Sequence, residues 1–350
     1  MRILYIGQIT SFDSAWYRIL ALRREGHEVF EINTLDYRQQ NPLLQKIEFR
    51  LVIGPQVERL NRDVLAKAKE HQPDVVWADK VLFMKPSTLQ RLRKMGIVTV
   101  SYMIDNFFGP RRDPGWRLYA KTIPYYDLHC TQRDTNVVDY KNAGARDVIK
   151  IQTAFEPTVH FAPPEGWNDK DRDRDVSFVG TPYDQRPAFL TKLAQEGGFD
   201  VAVNGGLLWK AALERVGGLS LYRGHGELRN DAYREAIWRS RINLSFLTHS
   251  NQDEFVHKSF EIAACGGFLL AERSAGHAAR FVEDEEAVFF TGFDECVEKI
   301  RKYLHDEPAR ARIAHAGWQR ALRSGYDNDT QVRRIVERLE PTVIAMRGAR

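Results

Sequence analysis

Short apolar runs recur along the first 150 positions, and helix-like segments separate them. Arg2–Ile6 (RILYI), His27–Ile32, Asp74–Trp77 (DVVW), Ile97–Met103 (IVTVSYM), Asp127–Thr131 and Asp147–Ile151 read as buried-type strands. Ala15–Arg24 carries Trp16, Ile19, Leu20 and Arg23 at helical intervals, and Gly26 ends it. Gly96 and Gly144 stop two further helical segments. Strands that alternate with helices imply a parallel sheet covered on both faces. Residues 1–155 therefore read as one doubly wound domain.

The pattern then breaks. Residues 156–174 hold Pro157, Pro163, Pro164 and Gly166, followed by the charge run NDKDRDRD, and read as a linker. It restarts with strands at Asp175–Val179 (DVSFV), Phe199–Val203, Leu219–Tyr222, Arg241–Phe246 (RINLSF), Gly267–Ala271 and Ala287–Phe290. This predicts a second doubly wound domain over 175–325, with one more helix at Thr330–Met346 inside a tail of 326–350. A length of 350 residues suits two such domains. Side by side they leave a cleft, and open α/β sheets bind ligands at the carboxyl ends of their strands.

Composition removes several classes of function. The three cysteines, Cys130, Cys265 and Cys296, are far apart and form no C-x-x-C, so neither a disulfide framework nor a thiolate zinc site is expected. No apolar run approaches the roughly 20 residues of a membrane span. The first residues, MRILYIGQIT, carry too short an apolar run for a secretion signal, so a cytoplasmic location is expected. The net charge is +4, but residues 1–150 hold 24 Lys/Arg against 17 Asp/Glu, and the remainder is acidic on balance. A basic half suits an anionic membrane surface or glycan, or is simply a solvated surface. No nucleic-acid motif accompanies it, and a nucleic-acid partner is not expected.

Four loops after second-domain strands are candidates for binding a phosphate-bearing ligand. Gly180 closes a strand and lets backbone approach closely, and the next helix begins near Pro187 with its free N–H groups and Arg186 beside it. Asn204-Gly205-Gly206 and Arg223-Gly224-His225-Gly226 either wall a nucleotide pocket or are turns. The fourth lies in the segment Leu247–Gly267, where a polar loop of Thr248 to Asp253 leads into a short helix that starts near Glu254–His257 and ends at Gly266-Gly267. Asp253 and Glu261 lie eight residues apart, and Lys258 and Glu261 share a helix face. A carboxylate there can accept from ribose hydroxyls, and a lysine can hold a diphosphate. The alternative is an i, i+3 ion pair on a solvated face. The surrounding Phe260, Ile262, Ala263 and Ala264 make the helix a buried one, where charge needs a reason.

The segment Phe260-Glu-Ile-Ala-Ala-Cys-Gly-Gly-Phe-Leu-Leu270 resembles the signature of group 1 glycosyltransferases, in the spore-maturation (CgeB-like) branch. Phe293–Ile300, Tyr303-Leu304, Ala314-x-x-Gly317-x-x-Arg320, Val179-Gly-Thr-Pro-Tyr-x-x-Arg186 and Thr153–Pro163 extend the resemblance over roughly residues 150–330. The first 150 residues are similar in architecture only. The resemblance implies a GT-B fold: two Rossmann-like domains facing a cleft, the donor held by the second, and the last helix crossing back to the first.

It also implies roles. Asp253 and Glu261 match a Glu-x7-Glu motif, with Glu261 on the ribose and Asp253 near the transferred sugar. The turn after Asp253 reads Glu254-Phe-Val-His257 in place of the relatives' glycine-rich turn. Lys258, Arg186 and the helix start at His257 would face the diphosphate, with Gly180, Asn204 and Gly224 completing the nucleotide pocket. Asp105, after the Ile97–Met103 strand, and Asp13, after the first strand, are the candidate bases; each is otherwise an Asx turn or helix cap. No Asp-x-Asp stands in a donor loop, so no metal is expected, and GT-B enzymes generally use protein charge and a helix dipole on the leaving diphosphate. The expected activity is metal-independent transfer of a sugar from a nucleotide-diphosphate donor to a hydroxyl acceptor, with retention. A nucleotide-sugar 2-epimerase and a non-catalytic scaffold on the same fold are the competing readings.

Overall fold

The computed structural model describes residues 1–111, 113–224 and 226–348. Of the glycine-containing turn at 223–226, His225 lies outside the described residues. Among the described residues the strands form two sheets, of six and five strands, whose registered pairs all run parallel. The chain divides into two units, Met1–Gln152 with Asn328–Arg350, and Thr153–Asp327.

In the first unit the strands are β1 (Arg2–Gly7), β2 (Glu28–Asn33), β3 (Val75–Asp79), β4 (Val98–Tyr102), β5 (Leu128–Thr131) and β6 (Val148–Lys150), in the order β2-β1-β3-β4-β5-β6. The helices are α1 (Ser14–Arg24), α2 (Pro42–Leu51), α3 (Pro55–His71), α4 (Pro86–Lys94), α5 (Trp116–Thr122) and α6 (Asp134–Asn142). Successive side chains of a strand point to opposite faces. Ile3, Tyr5, Val75, Trp77 and Val100 accordingly pack on one side with Ile19 and Leu22 of α1. Leu4, Ile6, Val76 and Ala78 pack on the other with Leu60 and Val64 of α3 and Leu89 and Leu92 of α4. Two buried faces are the reason these strands read as apolar runs.

The second unit holds β7 (Arg174–Val179), β8 (Val201–Asn204), β9 (Ser240–Ser245), β10 (Leu269–Glu272) and β11 (Val288–Phe290), in the order β11-β10-β9-β7-β8. Its helices are α7 (Arg186–Gly197), α8 (Leu208–Arg215), α9 (Asn230–Trp238), α10 (His257–Ala264), α11 (Ala275–Ala278), α12 (Phe293–His305) and α13 (Glu307–Arg323). Residues 219–222, expected as a strand, instead form a 3-10 turn at Leu219–Leu221, and only Tyr222 bridges to Val203. The preceding Gly217 turns the chain at φ +71°, and Leu221 dips into the core, so only one residue is left extended beside β8.

The stretch 156–174, expected as a linker, lies within the second unit. Its charge run is ordered by arginines of the folded core. Asp169 accepts from Arg310 Nη2 at 2.6 Å and Arg241 Nε at 3.3 Å, and Asp173 pairs with Arg239. Trp167 Nε1 donates to the Trp238 carbonyl at 3.3 Å. Those partners lie more than 60 residues away, so local composition reads as a linker what tertiary pairing makes a strap.

The last helix, α14 (Asn328–Gly348), belongs to the first unit and packs on α1. Val332, Ile335, Val336, Leu339 and Val343 form its buried stripe. Ion pairs flank that stripe, from Arg333 to Glu25 (2.7 Å), Arg338 to Asp147 (2.7 Å) and Arg347 to Asp74 (2.5 Å). No described helix is long and apolar enough to cross a membrane.

Candidate functional site

The site begins where β7 stops. The Gly180 N–H donates to the Asn204 carbonyl (3.0 Å), and its own carbonyl accepts from Trp209 Nε1 (2.7 Å). A Cβ at this position would lie 2.9 Å from Lys258 Cε and 2.7 Å from Phe178 Cζ. Glycine is thus what lets the lysine stem lie across bare backbone.

Arg186 opens α7, with Pro187 in the first turn. Its guanidinium donates to the Thr181 carbonyl (3.1 Å), the Leu247 carbonyl (2.9 Å) and Thr248 Oγ1 (3.1 Å). It ties the loop after β7 to the loop after β9, and its Nε is buried without a partner among the described residues. Burial lowers its pKa, against the pull of Asp184, Glu272, Tyr183 and Asp253. The arginine is a buried clamp with positive charge behind the loops, rather than an exposed fork.

From β9 the chain passes a 3-10 turn at His249–Asn251 and reaches α10 at His257. Asp253 accepts from Asn251 Nδ2 at 2.8 Å. His249 Nε2 stands 2.7 Å from Glu272 Oε1, and the other Glu272 oxygen accepts the Leu247 N–H at 3.0 Å. On α10, Ser259, Phe260, Ile262, Ala263 and Ala264 are buried, while Lys258 and Glu261 are half-buried on one face. The two form no direct ion pair. Tyr233, from α9, stands between them: its hydroxyl donates to Glu261 Oε2 at 2.5 Å and lies 3.4 Å from Lys258 Nζ. The His160 ring packs edge-on against Tyr233, with centroids 5.6 Å apart, and His257 Nδ1 is 3.3 Å from the Ala154 carbonyl.

The electrostatics follow from burial among charges. Burial opposes ionisation of Glu261, but His160, Lys258, His257 and the Tyr233 hydrogen bond outweigh it and hold the carboxyl below its usual value. Burial lowers the Lys258 pKa; Glu261 resists this, and Arg186 adds to it. Burial likewise lowers His160. Beyond Tyr233, whose ring also lies 4.8 Å from Lys258 Nζ, neither Glu261 Oε1 nor the Lys258 ammonium has a hydrogen-bonding protein partner among the described residues. A charged acceptor and a charged donor are thus left open side by side, three residues apart on one helix.

Two other expected positions lie beside β8. Asn204 is buried, with Oδ1 accepting from Arg174 (3.1 Å) and Nδ2 donating to the Arg223 carbonyl (3.2 Å). Gly224 makes room for the Tyr222 ring, which a Cβ there would meet at 2.0 Å, and the Tyr222 hydroxyl donates to the Gly205 carbonyl (3.1 Å). Both positions shape turns.

The two remaining acids lie in the first unit, at the carboxyl ends of its strands. Asp13 is the N-cap residue of α1 without a side-chain cap bond, and it accepts weakly from Gln8 Nε2 (3.4 Å). Asp105 follows β4 and is met by Lys80 Nζ at 3.3 Å. Between them the sheet carries a buried network absent from the sequence reading. Arg18 donates to Asp79 Oδ2 (2.5 and 2.8 Å), Tyr5 also bonds Asp79, and the guanidinium stacks 4.2 Å over the Tyr102 ring. Tyr233 and His160 were missed as well. His160 sits inside the Thr153–Pro163 motif, which is the one signal that pointed near it.

Among the described residues no group of three or more His, Cys, Asp or Glu is placed to hold a metal ion. The three cysteines are buried and free.

Residues 185–337 match the glycosyl transferase-like family model. Across its length the chain is similar to solved GT-B structures. One is a sucrose-phosphate synthase from Thermosynechococcus elongatus (TM-score 0.73, 11% identity, 97% of this chain and 99% of that one). Another is HepE from Anabaena, solved with UDP-glucose (0.69, 15%, 97% and 100%). A third is a UDP-forming α,α-trehalose-phosphate synthase from Burkholderia xenovorans (0.64, 14%, 98% and 98%). The fold is that of these structures, two Rossmann-like units, and the segment 185–337 carries the similarity to the glycosyl transferase-like family. No curated protein matches the chain in sequence.

Proposed function

We propose that the protein transfers a hexosyl group from a UDP-sugar to a hydroxyl acceptor, without a metal ion. The observation that carries this is the open pair on α10, Glu261 Oε1 and Lys258 Nζ, held apart by Tyr233 beside the bare backbone of Gly180. Glu261 accepts from the ribose hydroxyls. Lys258 and the first N–H groups of α10, at His257, take the diphosphate, where the helix dipole favours negative charge. Asp253 lies toward the transferred sugar, and Gly180 bounds the nucleotide together with the turns that Asn204 and Gly224 shape. Arg186 holds the two loops in register and adds positive charge behind them. The similar structures of HepE with UDP and UDP-glucose, and the UDP-forming synthase, support uridine as the base.

In the reaction the bond from C1 of the sugar to the diphosphate breaks, and a bond from C1 to the acceptor oxygen forms. The acceptor proton leaves to a base, for which Asp105 and Asp13 are the first-unit candidates. Negative charge grows on the departing UDP, and Lys258 with the α10 N–H groups stabilises it more than the ground state. Retention of configuration and the spore-maturation branch belong to the same reading through the resemblance of the motif residues from Thr153 to Arg320, and a cytoplasmic location goes with it.

The test is incubation with a panel of UDP-sugars, with and without hydroxyl acceptors, following UDP release and the anomeric product by NMR. One sugar should release UDP faster when acceptor is present, giving a retained glycoside. An epimerised free sugar without acceptor would replace transfer by the epimerase reading. No turnover of any UDP-sugar would leave only the fold.

A further inference from the structure

One helix of the first unit is turned inside out. On α2, Leu43, Leu44, Ile47 and Leu51 are 70, 47, 52 and 54% exposed, and Ile53 just beyond it is 62% exposed. Residues 43, 47 and 51 follow one another at i, i+4 and i+8, with Leu44 alongside, so they form a single stripe. The only buried residue of the helix is a carboxylate, Glu48. Its Oε1 accepts the Gln56 N–H at 3.1 Å and lies over Gly54, where a Cβ would meet it at 2.0 Å. Phe49 anchors the helix too, edge-on to Phe83. The start is well formed: Asn41 caps the Leu43 and Leu44 N–H groups at 2.9 and 3.3 Å, and Pro42 follows. A well-capped helix thus points its polar anchor inward and its leucines to solvent.

The border of the stripe is basic. Lys46 and Arg50 are exposed and form no ion pair among the described residues. They belong to the half of the sequence with 24 Lys/Arg against 17 Asp/Glu. A second copy packed symmetrically on the stripe would bring these like charges together. An anionic lipid surface pairs with both features. At about 15 Å long, a ten-residue helix cannot span a bilayer but can lie in its interface.

We propose that α2 is an interfacial helix that docks the first unit on an anionic lipid surface. Leu43, Leu44, Ile47 and Leu51 enter the acyl boundary, and Lys46 and Arg50 meet lipid phosphates. This inference does not depend on the donor reading.

The test is flotation of the full chain with phosphatidylcholine vesicles, with and without phosphatidylglycerol, at low and high salt. The wild type should float with the anionic vesicles and much less with the neutral ones. Leu43→Ser/Ile47→Ser/Leu51→Ser should weaken the anionic binding by roughly tenfold or more. Lys46→Gln/Arg50→Gln should weaken it and reduce its salt dependence. All five residues are exposed, so thermal melting of both variants should match the wild type. No flotation with anionic vesicles, or binding that the triple serine variant retains, would overturn the proposal. So would a concentration-dependent dimer in sedimentation velocity that the triple variant abolishes, because a second copy would then cover the stripe.

Discussion

Tyr233 separates the candidate site from an ordinary surface ion pair. Its hydroxyl occupies the gap between Lys258 and Glu261 and leaves each with an open valence. Glu261→Ala should weaken UDP binding by about tenfold or more while the melting temperature holds, because one charged hydrogen-bond acceptor is lost. Tyr233→Phe should cost less, about threefold to tenfold, because Glu261 keeps its charge but loses its orienting partner. Isothermal titration with UDP checks both. The carboxyl is held below its usual range, so the factor by which the wild type binds UDP more tightly than Glu261→Ala should stay level as pH falls from neutral to about 4.3, the ordinary glutamate value, and shrink only below it. On the alkaline side, the depressed Lys258 value predicts loss of affinity starting below the roughly 10.4 of a free lysine. Lys258 and Glu261 were legible because charge at i, i+3 on an apolar helix is anomalous. Tyr233 and His160 were not, because they arrive from elements 25 and 98 positions before Lys258 and nothing in their own neighbourhood marks them.

At the scale of elements, the close approach of β7, β8 and α10 hangs on Gly180. Gly180→Ala would push on Lys258 Cε at 2.9 Å and on the Phe178 ring at 2.7 Å. It should lower turnover by about tenfold or more by displacing the lysine, in the range typical of a lost diphosphate donor. The double variant with Lys258→Ala should then be little worse than Lys258→Ala alone, a non-additivity that steady-state kinetics can read. If the two losses multiply, the glycine acts on the site by another route. The strands were readable in sequence because burial on both faces leaves continuous apolar runs such as Arg2–Ile6 and Asp175–Val179. The run at 219–222 is also largely apolar, but Gly217 turns the chain just before it and Leu219–Leu221 coil into a 3-10 turn, so only Tyr222 bridges to Val203. The strap at 156–174 was opaque for the opposite reason. Its carboxylates look solvated until Arg239, Arg241 and Arg310 are brought to them.

At the scale of the whole molecule, the chain closes its first unit with its last helix. Besides its apolar stripe, α14 is held by Arg347 on Asp74, a buried carboxylate that also accepts the Arg2 N–H at 2.8 Å. Burial opposes the ionised form of Asp74, but the Arg347 and Arg2 hydrogen bonds outweigh it and lower its pKa. Stability from this group is therefore complete above the unfolded value of about 3.9 and disappears as pH falls through the lower native value. Asp74→Asn should cost the first unit about 1–2 kcal/mol near neutral pH. The gap from wild type should stay level down to about pH 5 and narrow below about pH 3.9. Melting curves across that range check it, and a gap that widens in acid would contradict the assignment. A terminal amphipathic helix was legible at Thr330–Met346, but its ion pairs to Glu25, Asp74 and Asp147 join residues roughly 190 to 310 positions apart and leave no local trace.

A nucleoside diphosphate seated on α10 is the centre of the proposed reaction. The direct measurement is calorimetric titration of UDP in the presence of a chelator, on the wild type and on Glu261→Ala. Binding by the wild type without metal, lost or weakened by about tenfold or more in the variant, is the predicted result. No binding by the wild type, binding only when a divalent ion is restored, or equal affinity in the two proteins would contradict it.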